Sequence, residues 1–178
     1  MNMHLQPQRT QAETALIDAF GERQSLLPGD GAVMVKRDEA IERVKHGLPT
    51  RRVESWHYTD LRRLLTSVPS YDDSAKAAAI APLVEGSPVL AVLNGIVAKA
   101  PALGNVTVAP VSEKLIDGTY APALGVQGDD DAIGALNAAL VADGWFLDIA
   151  DDTVFETPLE LQNVQAGGQV HARMAVRV

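Results

Sequence analysis

The feature that most constrains the fold is a change in the spacing of apolar residues near Pro69. Before this point apolar side chains recur every three or four residues, the period of a helix that buries one face. After it they fall in short runs of Val, Leu and Ile divided by Gly, Pro and Asn, as in strands joined by tight turns. The sequence therefore predicts an α+β fold in which a helical module, residues 1–68, precedes a strand-rich region.

Two of the helices predicted in this module have clear boundaries. Residues 10–27 carry an apolar face, and the predicted helix begins with a capping box formed by Thr10 at the N-cap and Glu13 three residues later. Residues 35–47 carry a narrower apolar stripe among charged residues, and Gly47 is placed to end that helix.

A third, short helix is predicted after Thr59 or Asp60, either of which can cap it. The chain before it is extended, because the residue that precedes Pro49 avoids helical angles. Trp56, Tyr58 and Leu61 are expected to pack this short helix against the first two.

Strands are predicted in residues 87–95, 96–100 and 105–110, and the Asn94-Gly95 pair favours a two-residue hairpin turn between the first two. One helix interrupts them within residues 129–144, with Asp129 to Asp131 at its N-terminal end and Gly144 as its stop.

Strands resume in residues 145–164 and 170–178, and the last run alternates so that one face is apolar. We divide the chain into the helical module, a mixed connector of residues 69–142, and a final strand region of residues 143–178. That region reaches Val178 in mid-strand. Natural sheets avoid long exposed edges, so either a partner covers this edge or the natural protein continues.

Composition narrows the function. The formal net charge is −8, which argues against a protein whose main task is to grip nucleic acid. The exception is residues 36–63, which contain eight Lys or Arg and only five Asp or Glu. There Trp56 and Tyr58 would be available to stack on bases. In so acidic a chain the structural interpretation of these aromatic residues is favoured. No signal peptide or membrane span is visible, so a cytoplasmic protein without a membrane partner is expected.

The chain shows no active-site pattern. It has no cysteine, which excludes thiolate nucleophiles and cysteine-ligated metal centres within it. His57 has Glu54 and Asp60 nearby, but the neighbouring serines lie in no nucleophile motif. We therefore predict a protein that is not an enzyme and has no catalytic, cofactor-binding or metal-binding residues in this sequence.

Ligand motifs are also incomplete. His4, His46, His57 and His171 are scattered without metal-ligand spacing. The aspartates at 129–131 lack the alternating ligands of a calcium loop. Residues 164–170, VQAGGQV, lack the spacing of a phosphate-binding loop and are expected to form a turn between the last two strands.

Residues 48–61 resemble the signature of a known protein family. Leu48-Pro49-Thr50-Arg51-Arg52 is followed by Glu54, Trp56 and Tyr58-Thr59-Asp60-Leu61, which closely resembles the LPTRR-x-E-x-W-x-YTDL signature of the SufD family. Members of this family are subunits of the SUF iron–sulfur cluster assembly machinery.

Other matches follow in the family's order. Asn94-Gly95 is similar to its NG turn, residues 136–144 to its LN-x-A … DG segment, and Pro158-Leu159 to the strand that begins its β-helix. The matches span residues 47–161. His57 departs from the Lys or Arg that is common there, a conservative surface change. SufD proteins are also more than twice this long.

The resemblance implies a fold and a role. SufD proteins have an N-terminal helical region, a right-handed parallel β-helix and a C-terminal helical region; this chain is similar to the first and to the entry to the second, a truncated β-helix. The implied role is a non-catalytic scaffold that acts with SufB and the ATPase SufC, on which iron–sulfur clusters are assembled. The family's cluster-building residues and SufC-binding surface lie beyond Val178, so none is carried over.

An alternative remains open. The chain is also consistent with a free-standing adaptor whose terminal strand adds to a partner's sheet, with a homodimer as one form.

Overall fold

The computed structural model describes residues 8–126, 128 and 130–178. The predictions that concern His4 and Asp129 lie outside the described residues. Within them the chain has a mixed α+β fold, in which small sheets pack against helices. No helix in the described part is both long enough and apolar enough to cross a membrane.

The N-terminal helices follow the predicted caps. Helix α1, Gln11–Arg23, begins with the capping box of Thr10 and Glu13, and a 3-10 turn, Gln24–Leu26, continues it. Helix α2, Gly31–Lys45, begins four residues earlier than predicted, because the Asp30 side chain accepts a hydrogen bond from the Val33 N–H at 2.9 Å.

The predicted stop of α2 and cap of the third helix are confirmed. Gly47 follows α2 with φ +105°, and its N–H donates to the Val44 carbonyl at 3.0 Å. Helix α3, Leu61–Leu64, is capped by Asp60, whose side chain accepts from the Arg63 N–H at 3.0 Å. A 3-10 turn, Glu54–Trp56, precedes it.

In the described part of the chain, six strands form two sheets. The first holds β1 (Val89–Leu93), β2 (Ile96–Val97) and β5 (Glu160–Val164). The second holds β3 (Val106–Pro110), β4 (Asp143–Ile149) and β6 (Ala172–Arg177). The predicted hairpin is confirmed: Asn94 and Gly95 both have positive φ, and Leu93 pairs with Ile96 across them.

Among the described residues between β3 and β4, two α-helices pack near the second sheet. Helix α4, Val111–Ile116, begins directly at the end of β3, and helix α5, Ala132–Leu140, is capped by the Asp131 side chain. The prediction that Gly144 ends α5 is wrong. The helix ends at Leu140, and Gly144 lies inside β4 opposite Arg173 of β6.

The chain passes alternately between the two sheets. It runs from β1 in the first sheet to β3 and β4 in the second, returns to the first for β5, and ends in the second with β6. Each return is parallel and in continuous register: Val89 pairs with Glu160, and Asp143 pairs with Ala172. The two later strands thus form a second layer on β1 and β4.

Three apolar clusters hold these parts together. One joins α1 and α2 to α5, so the helices of residues 1–68 share a core with the connector. A second lies between α4, the 3-10 turn Ala121–Leu124 and one face of β4. The third lies between the two sheets, where Leu90 and Val92 face Trp145 and Leu147. The Trp145 indole N–H donates to the Ala91 carbonyl at 3.1 Å, which ties the sheets directly.

Candidate functional site

The segment that carries the family resemblance is joined to α1 through one buried carboxylate. Glu13 is 1% exposed; its oxygens accept from the backbone N–H groups of Thr10 at 2.7 Å and Leu48 at 2.8 Å. Arg62 Nε lies 3.1 Å from the same carboxylate. Burial alone would raise the pKa of Glu13, but these hydrogen bonds and the Arg62 guanidinium hold it below its ordinary value. The start of the segment and its short helix are therefore both fixed to α1.

The packing prediction for the three large residues of this segment is right for one of them. Leu61 packs against the cluster of α1, α2 and α5. Trp56 is partly buried and instead donates its indole N–H to the Asp130 carbonyl at 2.9 Å, which anchors the 54–56 turn to the start of α5. Tyr58 is 86% exposed, so its predicted packing role is wrong. Its ring contacts the His57 ring, with the centroids 3.7 Å apart and the two planes tilted by 46°.

The basic character of residues 36–63 is reduced by internal contacts. Arg37 is fully buried. Three further cations form ion pairs with acidic side chains: Lys36 with Glu39 at 2.7 Å, Lys45 with Glu42 at 2.6 Å, and Arg62 with Glu13 at 3.1 Å. Arg51, Arg52 and Arg63 are exposed. Residues 36–63 therefore present a small basic surface, rather than a continuous basic face of the kind that follows a phosphate backbone.

The hydrogen bond of His57 stays within its own turn. Its Nδ1 is 2.7 Å from the Glu54 carbonyl oxygen, which is a local turn contact. In the described ranges no three His, Asp or Glu side chains group so that they could hold a metal ion. His46, His57 and His171 lie in three different parts of the fold, namely the end of α2, the 3-10 turn before α3 and the start of β6.

The main candidate for an interaction site is the outer side of the second strand layer, which we call the open end and define by β5 and β6. In the described part of the chain β5 pairs only with β1, and β6 only with β4, so each strand has one unpaired edge. Leu161 lies opposite the buried Leu90, and Val176 opposite the buried Leu147. Yet Leu161 is 42% exposed and Val176 54% exposed. Leu90 with Leu161, and Leu147 with Val176, thus form two columns of apolar side chains that are buried in the first strand layer and reach the surface at the open end.

Motif residue Asn137 and a residue that the sequence did not single out, Arg173, hold the open end against α5. The Asn137 amide donates to the Ala172 carbonyl at 3.1 Å and accepts from Arg173 Nε at 2.5 Å. Arg173 also donates to the carbonyls of Ala123 at 2.8 Å and Gly134 at 3.2 Å. No local pattern marks this arginine, because all its partners lie in other elements.

A cavity of about 220 Å³ lies between the end of α1, the connector near residue 71, the β1–β2 turn and the β5–β6 loop. Its polar lining includes Arg23, Tyr71 and His171. The Arg23 guanidinium carbon lies 3.9 Å from the centre of the Tyr71 ring, and the Tyr71 and His171 ring centres are 6.0 Å apart. Burial raises the pKa of Tyr71 to about 12, and burial together with Arg23 lowers the pKa of His171 to about 4. Both side chains are therefore neutral at pH 7.

Comparison with known proteins adds no assignment. No protein-family model matches the chain, and no curated protein matches it at significant similarity.

Proposed function

We propose that this chain is the N-terminal part of a SufD-type scaffold subunit and contributes the first coils of a right-handed parallel β-helix. The proposal starts from the resemblance of residues 48–61 to the family signature and from the further similar segments in the same order. The role is structural: it presents a β-helical surface on which other subunits assemble iron–sulfur clusters.

The observation that carries the proposal is the open end. A parallel β-helix is a chain that returns repeatedly to the same sheets, each time one strand further along, and buries each layer under the next. Here β5 and β6 return in parallel to the sheets of β1 and β4, and Leu161 and Val176 continue columns that are buried in the first layer. A following coil would cover these side chains and pair both free edges.

The proposed partners follow from the resemblance. A SufB-like subunit would pair with the β-helix, and a SufC-like subunit would bind and hydrolyse ATP. The cluster is the cargo of the whole complex. We assign no cluster ligand, cofactor or catalytic residue to this chain.

The test is oxygen-free native purification of the endogenous protein through an N-terminal tag, followed by intact mass measurement of the bait and sequencing of its companions. We expect a bait more than twice the mass of this chain, accompanied by an ATPase and a related β-helical subunit. A bait without those two companions would overturn the proposal.

A pair of variants tests the role of the open end. Val176→Lys places a charge in an apolar column, whereas Val154→Lys changes a side chain that is already 87% exposed outside the two sheets. We expect Val176→Lys to lose the companions and Val154→Lys to retain them. Equal recovery with both variants would count against the open end as the assembly surface.

The unpaired edge of β6 also supports a second candidate, an adaptor that adds this strand to the sheet of a partner or of a second copy. A native bait that ends at Val178, lacks an ATPase companion and sediments as a dimer disrupted by Val176→Lys would favour it. A monomer with the same native end would disfavour the homodimeric form.

A further inference from the structure

We propose that the strand that covers β5 carries a hydrogen-bonding side chain, an amide or a hydroxyl, directly above Asn163, and that this contact sets the register of the next coil. The inference rests on the proposed function, because it takes the chain that follows Val178 as the occupant of the open end. It goes beyond that function by naming the chemistry that the occupant needs at one position.

The outward-facing side chains of β5 already have partners within the described chain. Gln162 is 6% exposed and binds both backbone groups of Ile80: its Oε1 accepts from the Ile80 N–H at 3.1 Å, and its Nε2 donates to the Ile80 carbonyl at 3.0 Å. Glu160 accepts from the Leu83 N–H at 2.6 Å. The side chains of β5 that remain uncovered are therefore the inward-facing ones.

Asn163 is one of these inward-facing side chains. Side chains alternate along a strand, and opposite residues of a parallel pair point to the same face. Asn163 lies opposite Val92, as Leu161 lies opposite Leu90, and both Val92 and Leu90 are completely buried between the two sheets. Asn163 itself is exposed. An amide thus ends one column of the core at the open end.

This amide is a polar exception in an apolar layer. The neighbouring inward-facing side chains of β5 and β6 are apolar, namely Leu161, Met174 and Val176. Within the residues that the structure describes, the Asn163 side chain forms no hydrogen bond. Water can reach it while the open end is exposed, but a following coil would exclude that water. A buried amide without a partner is strongly unfavourable, so the covering strand has to supply one.

The partner is expected directly above Asn163. Neighbouring strands lie about 4.8 Å apart, which brings the side chain at the opposite position within reach of the amide. Stacked Asn or Gln side chains form ladders at this spacing, and a Ser or Thr hydroxyl can also donate or accept. An apolar side chain at that position would leave the amide buried and unpaired.

The same contact separates the correct register from its nearest alternatives. A slip of one residue turns every side chain of the covering strand to the other face. A slip of two residues keeps the apolar side chains inward, but it places an apolar side chain above Asn163 and moves the polar one away from it. A single buried polar position sets the register of coiled coils in the same way. Asn163 is thus a specificity-determining residue of the open end.

The first measurement asks whether the inward side of β5 is covered in the native-length protein, purified through its N-terminal tag. Residues 1–178 contain no cysteine, so Leu161→Cys and Asn105→Cys each place one thiol in this part of the chain. Asn105 is exposed and lies outside the two sheets. Labelling with iodoacetamide, followed by peptide mass spectrometry, should be at least about tenfold slower in Leu161→Cys than in Asn105→Cys, and equally fast in both in urea.

The second measurement tests the polar partner with two isosteric variants of the native-length protein. Asn163→Thr keeps a hydrogen-bonding group, whereas Asn163→Val has the same shape without one. We expect Asn163→Val to melt about 2–4 °C below Asn163→Thr, because it leaves the partner side chain buried and unpaired. The matched pair Asn105→Val and Asn105→Thr, at the exposed asparagine, should differ by less than about 1 °C.

The two measurements fail separately. Equally fast labelling of Leu161→Cys and Asn105→Cys under native conditions would show that the open end is uncovered, which overturns the proposed coil and this inference with it. Slow labelling of Leu161→Cys, together with an Asn163→Val protein that melts at or above Asn163→Thr, would overturn the polar partner alone and leave the scaffold proposal in place.

Discussion

The guanidinium of Arg37 donates a hydrogen bond to the carbonyl oxygen of Val141 at 2.7 Å, across the junction between α2 and the end of α5. It also donates to the carbonyls of Ala139 at 2.8 Å and Pro28 at 2.9 Å. The last carbonyls of a helix have no partner within it, and here a buried cation supplies one. Burial lowers the pKa of Arg37 to about 10, so the side chain stays charged at pH 7.

Replacing Arg37 should therefore be costly. We expect Arg37→Met to lower the free energy of unfolding by about 3 kcal/mol or more, since it leaves several buried carbonyls unpaired. Arg52→Met, at an exposed arginine, should change it by less than about 0.5 kcal/mol. Urea unfolding of both variants tests this, and equal midpoints would show that Arg37 does not support the end of α5.

Glu13 should make stability depend on acid pH. Its pKa is lowered in the folded protein, so its contribution is present above the ordinary value of about 4.5 and is lost as pH falls through the folded pKa. Glu13→Gln turns one acceptor into a donor facing other donors and should cost about 2 kcal/mol at pH 7. Glu22→Gln, on the exposed side of the same helix, is the control and should cost almost nothing. The free energies of unfolding of the unmodified protein and Glu13→Gln should differ at pH 7 and converge as pH falls, and a difference that is the same at both pH values would contradict this role of Glu13.

His171 should act in a different pH window. Its folded pKa of about 4 lies below the ordinary 6.5, so between these values the unfolded chain binds a proton that the folded chain does not. Stability is thus complete above pH 6.5 and falls as pH drops toward 4. Between pH 7 and pH 5 the unmodified protein should lose about 2 kcal/mol more of its free energy of unfolding than His171→Asn loses, as measured by urea unfolding. The same pH dependence in both proteins would show that His171 is not responsible.

Gly144 should tolerate no side chain. Its φ is +147°, and a Cβ there would lie 1.7 Å from the Arg173 carbonyl oxygen, where β4 pairs with β6. We expect Gly144→Ala to destabilise by about 3 kcal/mol or more, since the parallel pair must separate. Gly21 lies in α1 with open space around it, and Gly21→Ala should stabilise by about 0.5–1 kcal/mol. The melting temperature should fall in Gly144→Ala and rise in Gly21→Ala, and a shift in the same direction in both variants would contradict this account.

The segment of the family signature makes a graded prediction. Tyr58→Ala should change the free energy of unfolding by less than about 0.5 kcal/mol, because the ring is exposed. Trp56→Phe leaves a smaller aromatic ring and removes the indole N–H that donates to the Asp130 carbonyl, and should cost about 1 kcal/mol. Leu61→Ala removes a partly buried side chain from the helical cluster and should cost about 1–2 kcal/mol. Chemical denaturation should give this order, and a Tyr58→Ala loss as large as that of Leu61→Ala would contradict it.

Local features were predictable because their causes lie within a few residues. The Thr10–Glu13 capping box, the stop at Gly47, the Asp60 cap and the Asn94-Gly95 hairpin each depend on side chains three or four positions apart or on one backbone conformation. Alternation of apolar residues likewise predicted β6. Sequence alone also indicated the order of helices before strands, since the apolar period reports which face each element buries.

What only the tertiary structure decided depends on residues far apart in the chain. The sequence places Gly144 as a helix stop, but pairing with β6 draws it into β4. Arg37 reads as one charge in a basic run, but its acceptors lie more than 100 residues away at Ala138, Ala139 and Val141. Arg23, Tyr71 and His171 form one cavity only because the second strand layer returns beside α1 and the connector. The spacing of nearby residues does not predict such long-range contacts, since they depend on how the layers pack around a shared core.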